Sequence, residues 1–181
     1  MRSSYKSNSF DDIFKSLCEH YKPKSILEIG ILDGFSLKSF VESVSEETDI
    51  VAIDLFNLYE FKNSEKNKIE QKFKENKNVK IFQGNFYEFY KTCSNFDLIH
   101  IDISNDGDVY EFAIKNYFPI TNKALILEGG SKERDLVEWM IKYNKRKINP
   151  YLQKISDVYS IETINKFPSL TIIDVLQSKA L

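Results

Sequence analysis

The sequence predicts an α/β fold in which a mainly parallel sheet is covered by helices on both faces. Five short apolar runs alternate with stretches of helical spacing, and two further alternating runs stand near the carboxyl end. Strands that alternate with helices are typical of βαβ units, whose parallel strands are buried on both faces. The two terminal runs predict a hairpin. The sequence contains no repeat or linker-like segment, so residues 1–181 are expected to form a single domain.

The predicted elements follow in order from the amino end. The first helix begins near Ser9, has acids in its first turn and ends before Pro23, which cannot continue a helix. The predicted strands are residues 25–29, 50–54, 79–82, 96–102 and 124–128, with terminal strands at 158–164 and 170–176. The helices predicted between them contain residues 37–44, 62–78, 86–93 and 109–117. Apolar side chains in these segments recur at helical spacing.

A further helix is predicted after the fifth strand. Ser131 is a suitable N-cap, and acids follow it where the helix dipole favours them. Arg134 is expected to form a surface ion pair, with an anionic group of a substrate as the alternative partner. The apolar positions expected to form the buried face of this helix are Leu136, Trp139, Met140 and Tyr143. The basic residues within 142–147 are interpreted as a solvated helix end.

Composition excludes several classes of protein. Hydrophobic residues at 42% and aromatic residues at 14% supply a core, which excludes disordered and collagen-like chains. No apolar run approaches the roughly 18 residues that span a bilayer, and the amino terminus lacks the apolar segment of a secretory signal. A net charge of −2, with both signs dispersed, implies neither a nucleic-acid nor a membrane partner. Cys18 and Cys93 are the only cysteines, which favours reduced thiols in a cytoplasmic protein.

The six glycines cluster at one edge of the predicted sheet. Each of them follows the carboxyl end of a strand: Gly30 and Gly34, Gly84, Gly107, and Gly129 and Gly130. Ligands of open α/β sheets bind at that edge, where glycine allows the backbone to approach a ligand closely. The glycines therefore predict a ligand site along the carboxyl ends of the strands.

The loop after the first strand carries the most specific pattern. Residues 28–36 have the form E-x-G-x-x-x-G-x-S, and Asp54 closes the second strand 24 positions after Gly30. A carboxylate at that position can accept hydrogen bonds from both hydroxyls of a ribose. The spacing departs from G-x-G-x-x-G, so the tight turn that binds a pyrophosphate is missing. The pattern favours a nucleoside without a pyrophosphate, whose adenine Asn85 and Phe86 could contact after the third strand.

These motifs resemble those of the class I S-adenosylmethionine-dependent methyltransferases over about residues 9–176. Residues 28–36 and the strand that ends at Asp102 look most like the small sugar and antibiotic O-methyltransferases of the macrocin and catechol types. The resemblance implies a Rossmann-like, doubly wound sheet of order 3-2-1-4-5-7-6 with strand 7 antiparallel. It also implies S-adenosylmethionine (SAM) as the cofactor. The contacts expected for it are Glu28, Gly30, Gly34, Ser36, Asp54, Leu55, Asn85, Phe86 and Asp102.

The candidate catalytic residues are Asp102, Glu128 and His100. The first two would lie side by side in the implied strand order, where two carboxylates bind Mg²⁺ or another divalent cation, share a proton, or accept hydrogen bonds from loop amides. His100 shares the strand face of Asp102, where a core role is the alternative to catalysis. Residues 102–108 do not match the D-G-D-H pattern of metal-dependent relatives.

The expected activity is SAM-dependent methyl transfer to a hydroxyl of a small molecule, a sugar or glycan. Three alternatives stay open. They are N-methyl transfer on the same fold, a nicotinamide-binding oxidoreductase, and a non-catalytic adenosyl-binding module. The sequence also leaves a homo-oligomer open.

Overall fold

A seven-stranded sheet is the centre of the computed structural model, which describes residues 3–58, 60 and 64–178. Its strands are β1 Ser25–Ile29, β2 Asp49–Asp54, β3 Val79–Gln83, β4 Phe96–Ile101, β5 Thr121–Glu128, β6 Ser160–Ile164 and β7 Leu170–Asp174. Their order is β3-β2-β1-β4-β5-β7-β6. Strands β1 to β5 are parallel, and β7 is antiparallel to both of its neighbours. The predicted fold class and strand order are confirmed.

Helices cover both faces of the sheet. They are α1 Phe10–Tyr21, α2 Phe35–Ser43, α3 Lys66–Lys72, α4 Phe86–Phe89, α5 Gly107–Asn116, α6 Glu138–Lys142 and α7 Asn149–Ile155. Buried side chains of α1, α2 and α3 form one core with the sheet, and those of α4, α5 and α7 form the other. None of the helices in the described ranges is long and apolar enough to cross a membrane.

Strand β4 lies in the middle of the sheet, and all of its residues are buried. Leu98 enters the core on the α1 and α2 side, whereas Ile99 and Ile101 enter the core on the α5 side. His100 takes the first side, where its ring packs against the rings of Phe14 and Phe40. Both cores therefore support β4 up to the point where Asp102 leaves the sheet.

Two predicted helices are shorter in the structure. The segment 62–78 contains α3 over Lys66–Lys72 only, and residues 61–63 lie outside the described residues. The segment 86–93 is helical only over Phe86–Phe89. In the described part of the segment 62–78, only Ile69 and Phe73 are buried, so little packing extends α3.

The predicted helix after β5 is wrong in its extent and in its buried face. A 3₁₀ turn at Arg134–Leu136 is followed by the short helix α6, and a separate helix, α7, was not predicted. Leu136 and Tyr143 are 61% and 59% exposed, whereas Met140 is buried. Helical spacing predicted one continuous helix. The segment instead folds back onto the edge of the sheet and does not pack one continuous helical face against the sheet.

Candidate functional site

The candidate site lies at the carboxyl edge of the sheet, where the five parallel strands end. The loop of Gly30 follows β1, Asp54 ends β2, Asn85 follows β3, Asp102 follows β4 and Glu128 ends β5. The strand order makes β1 and β4 neighbours, and likewise β4 and β5. The topology therefore brings the loop of Gly30, Asp102 and Glu128 to adjacent positions.

Gly30 and Asp102 contact each other through their backbones. Gly30 has a φ of +91°, and a Cβ added to it would lie 1.9 Å from the carbonyl oxygen of Asp102. The amide of Gly30 donates to the carbonyl of Ile53 at 2.9 Å, and the amide of Asp102 donates to the carbonyl of Ile29 at 2.9 Å. The loop after β1 is thus fixed between β2 and β4, and glycine is required at position 30.

Asp54 organises the same loop. Its Oδ2 accepts from the amides of Ile31 at 2.7 Å and Leu32 at 3.1 Å, and its Oδ1 accepts from Phe56 at 2.8 Å. Leu32 has a φ of +47°, a conformation that few non-glycine residues adopt, so these bonds stabilise an unfavourable turn. Since a carboxylate oxygen can accept two hydrogen bonds, Oδ1 keeps one acceptor position for a ligand hydroxyl.

The two residues expected at the adenine have different surroundings. Asn85 is exposed, and its Oδ1 accepts from the amide of Tyr87 at 2.9 Å as the N-cap of α4. Phe86 is buried and stacks on Tyr117 with ring centroids 5.2 Å apart. The ring of Phe86 therefore belongs to the core, whereas Asn85 is open to a ligand. Leu55, which follows Asp54, is half-buried, and its carbonyl accepts from Nε2 of Gln83 at 3.0 Å.

A buried hydrogen-bonded chain runs behind the loop. The hydroxyl of Ser36 donates to Glu28 Oε1, and Glu28 Oε2 is 2.7 Å from Nδ1 of His100. Nε2 of His100 is 3.2 Å from the hydroxyl of Tyr5, which the sequence had not singled out. Burial lowers the pKa of His100, but Glu28 outweighs this effect and raises the pKa above its ordinary value. Both ring nitrogens are engaged by side chains of the core, so His100 has no free nitrogen to offer a substrate.

Asp102 is the accessible acid of the site. Its side chain is half-buried, and its carboxylate accepts no hydrogen bond from the residues that the structure describes. Burial raises the pKa of Asp102 to about 7, with a further increase from Glu128 that His100 opposes. A carboxylate with this pKa can take up a proton near neutral pH.

Glu128 forms a buried ion pair with Arg134. Nε of Arg134 donates to Oε1 at 2.6 Å, and Nη2 donates to Oε2 at 2.9 Å. The guanidinium lies over the ring of Trp139, with Cζ 5.0 Å from the centroid. Arg134 is only 5% exposed, so the expectation of a surface ion pair is wrong. Gly129 and Gly130, with φ of +106° and +107°, make the turn that brings Arg134 back to Glu128.

Two further polar residues hold this end of the sheet together, and the sequence had not indicated them. Nδ2 of Asn105 donates to the carbonyls of Ile101 and Glu128, each at 2.9 Å, and so joins β4 to β5. Asp135 accepts from the amides of residues 148 and 149 at 2.7 and 2.9 Å, which fixes the start of α7. Apart from the bond to Ile101, these contacts span 13 or more positions of sequence, so no local pattern could reveal them.

Solved structures share this architecture. An O-methyltransferase from Bacillus cereus in complex with S-adenosylhomocysteine (SAH) is 15% identical over 92% of this chain and 80% of that chain, with a TM-score of 0.66. The SAH-bound methyltransferase PaMTH1 from Podospora anserina is 17% identical over 99% of this chain and 80% of its own, with a TM-score of 0.66. The chain has the fold of the class I methyltransferases.

A third structure of this fold is the O-methyltransferase TomG from Streptomyces achromogenes in complex with SAM. It is 12% identical over 91% of this chain and 78% of that chain, with a TM-score of 0.64. Neither a protein-family model nor a curated protein matches the chain by sequence. The similarity to known class I methyltransferase folds is therefore one of structure.

Proposed function

We propose that the protein is a SAM-dependent methyltransferase that methylates a hydroxyl group of a small molecule, and that this molecule is a sugar or glycan. The observation that carries the proposal is the half-buried carboxylate of Asp102, which has no partner in the described part of the chain and lies directly beside the glycine loop. The three solved structures named above have this fold and hold SAM or SAH. A base next to a nucleoside-binding loop is the arrangement that methyl transfer to a hydroxyl requires.

The residues of the carboxyl edge fit SAM. The backbone of the loop that contains Gly30 and Gly34 would hold its amino-acid part. The free acceptor position on Asp54 Oδ1 would take a ribose hydroxyl, and Asn85 with the backbone near Leu55 would contact the adenine. When bound, SAM supplies a methyl group on a positively charged sulfur, which keeps the electron pair of the broken carbon–sulfur bond.

Asp102 would act as the general base. Its carboxylate accepts the proton of the acceptor hydroxyl while that oxygen forms its bond to the methyl carbon, and the proton then passes from Asp102 to solvent. A pKa of about 7 suits this role, because about half of the carboxylate is ionised at neutral pH and the ionised form is still basic. Glu128 raises this pKa, and the pairing of His100 with Glu28 keeps that histidine out of the reaction.

A divalent cation fits these residues poorly. Both carboxylate oxygens of Glu128 accept hydrogen bonds from Arg134, so metal binding would have to break a buried ion pair. Among residues 3–58, 60 and 64–178, no group of three or more His, Cys, Asp or Glu side chains could hold a metal ion. We therefore assign the proton transfer to Asp102 without a metal.

The charges near the site support a small acceptor over a nucleic acid. In the basic run 142–147, Lys145 pairs with Asp106 at 3.1 Å, and Arg146 pairs with Asp108 at 3.1 Å. These pairs remove much of the positive charge that binding to phosphates would require. A cytoplasmic location is part of the proposal, and the free thiols of Cys18 and Cys93 agree with it.

Product mass after incubation with SAM tests the proposal. Candidate sugars, glycans, phenols and amines are offered in turn, and we expect a gain of one CH₂ on a hydroxylated acceptor. The rate should be the same with added Mg²⁺ and with EDTA. Methylation of amines alone would assign N-methyl transfer instead. Binding of SAM without transfer to any acceptor would favour a non-catalytic adenosyl-binding module.

A further inference from the structure

One buried donor at the site has no partner. Arg134 uses Nε and Nη2 on Glu128, but its Nη1 is buried and makes no hydrogen bond with any described residue. A guanidinium nitrogen of this kind carries two N–H groups, and leaving a buried donor without a partner costs about 1–3 kcal/mol. We interpret Nη1 as a donor that meets its partner when a ligand binds.

The charge around Arg134 determines which ligand can bind there. Glu128 already balances the guanidinium, and Glu28 balances His100 in the neighbouring pair. Among the described residues Asp102 has no cationic partner, and it lies near enough to Arg134 for each to influence the pKa of the other. The described part of the site thus has no excess positive charge. A carboxylate or phosphate placed there would be repelled by Asp102.

The burial of Nη1 further favours an uncharged ligand oxygen over an anionic one. Because Nη1 has no solvent contact, any atom that accepts from it must also leave water. An anionic oxygen loses much more hydration than a hydroxyl, ether or carbonyl oxygen, and here it would gain no unpaired cation in return. An uncharged oxygen can satisfy the N–H groups without this penalty.

We propose that Arg134 determines acceptor specificity by donating from Nη1 to an uncharged oxygen next to the hydroxyl that Asp102 deprotonates. The acceptor class is then a neutral compound with two neighbouring oxygens, and acids or phosphate esters at that position are rejected. This inference rests on the proposed function and names the acceptor of the same site.

The test uses wild-type protein with SAM and three sets of methyl glycosides, measured by product mass. The sets are neutral hexosides, their deoxy analogues that each lack one hydroxyl, and the matching uronic acids. We expect a neutral hexoside to be methylated, and we expect kcat/KM to fall about 30- to 100-fold for one deoxy analogue and for the uronic acid. Equal rates for the neutral and anionic members would overturn the inference while leaving methyl transfer intact. Failure of every acceptor would count against both.

Arg134→Lys separates recognition from stability. Lysine keeps a positive charge for Glu128 but lacks Nη1, so kcat/KM for the neutral hexoside should fall about 30- to 100-fold. For the sensitive deoxy analogue, kcat/KM should be nearly the same in the variant as in the wild type, because the oxygen that Nη1 binds is already absent. Equal losses for both acceptors would show a purely structural role and contradict the inference. If the variant does not fold, the comparison of neutral, deoxy and anionic glycosides with the wild-type protein still tests the inference.

Discussion

The backbone of Gly30 lies against the carbonyl oxygen of Asp102, with no room for a side chain on residue 30. The contact joins the loop that we assign to the cofactor and the strand end that carries the proposed base. Any change that separates these backbones would therefore affect cofactor binding and proton transfer together. The amides of both residues also continue the hydrogen bonding of the sheet to β2 and β1.

Gly30→Ala should abolish SAH binding and destabilise the protein by about 3 kcal/mol or more. The added Cβ meets a backbone oxygen at 1.9 Å, and the φ of +91° is itself unfavourable for alanine. Thermal unfolding and calorimetry measure the two effects. Gly84→Ala is the matched control at the same sheet edge, because its Cβ would have an ordinary contact of 3.4 Å with Phe89. Equal SAH affinity and equal stability of the two variants would show that the contact between Gly30 and Asp102 contributes to neither.

The activity should depend on the ionisation of Asp102. Because the pKa is about 7, kcat/KM should rise with pH up to about 7 and level off above it. Asp102→Asn should lower kcat by about 10²–10⁴-fold and remove this dependence. Asp108→Asn changes an exposed carboxylate in the first turn of α5 and should retain near wild-type rates. A wild-type pH profile that Asp102→Asn leaves unchanged would exclude Asp102 as the base.

Asp102 should also make the folded state less stable as pH rises. Its pKa lies above the roughly 3.9 of an unfolded aspartate, so the native state binds more protons between pH 4 and 7. Its contribution is fully present below pH 4 and is lost as pH rises through 7. Asp102→Asn should remove a slope of at most about 1.4 kcal/mol per pH unit. Urea unfolding of both proteins at several pH values measures this slope. If the free energy of unfolding depends on pH in the same way in both proteins, the raised pKa is contradicted.

The buried pair of Glu128 and Arg134 should matter far more for stability than exposed pairs. Glu128→Gln leaves a buried guanidinium without its carboxylate and should destabilise the protein by about 3 kcal/mol. Glu111→Gln breaks a pair with Arg146 at the surface and should cost less than about 1 kcal/mol. Urea unfolding at neutral pH compares the two. Similar small losses would show that the buried pair is not a structural requirement.

Asp54 has two roles that one experiment can separate. It holds the loop amides, and we propose that it also binds a ribose hydroxyl. SAH and its 3′-deoxy analogue are titrated into wild type and Asp54→Ala. If Asp54 binds the ribose, loss of the hydroxyl weakens binding in the wild type but not in the variant. Equal weakening in both proteins would restrict Asp54 to holding the loop.

The sequence was sufficient to predict the strands and the loops that surround the candidate site. The apolar runs and the position of each glycine follow from local rules, and the structure has all six glycines after strand ends. Asp54 and Asp102 end or follow strands, so their placement at the carboxyl edge needed only the strand order. That order came from the family resemblance, since local patterns do not fix which strands are neighbours.

The partners of the site residues could not be predicted in the same way. Arg134 bends back over Glu128 because Gly129 and Gly130 adopt positive φ. The sequence pattern around Arg134 is instead typical of a surface helix. Tyr5 reaches His100 across 95 positions of sequence. Such contacts depend on tertiary packing, which leaves no periodic signal.

Calorimetric titration of the wild-type protein with SAM, SAH and NAD tests the central claim most directly. The proposed function predicts that both sulfur nucleosides bind more tightly than about 1 mM, a binding free energy of about 4 kcal/mol, and that NAD does not. Binding of NAD without binding of SAM or SAH would contradict it and assign the carboxyl edge of the sheet to a nicotinamide cofactor.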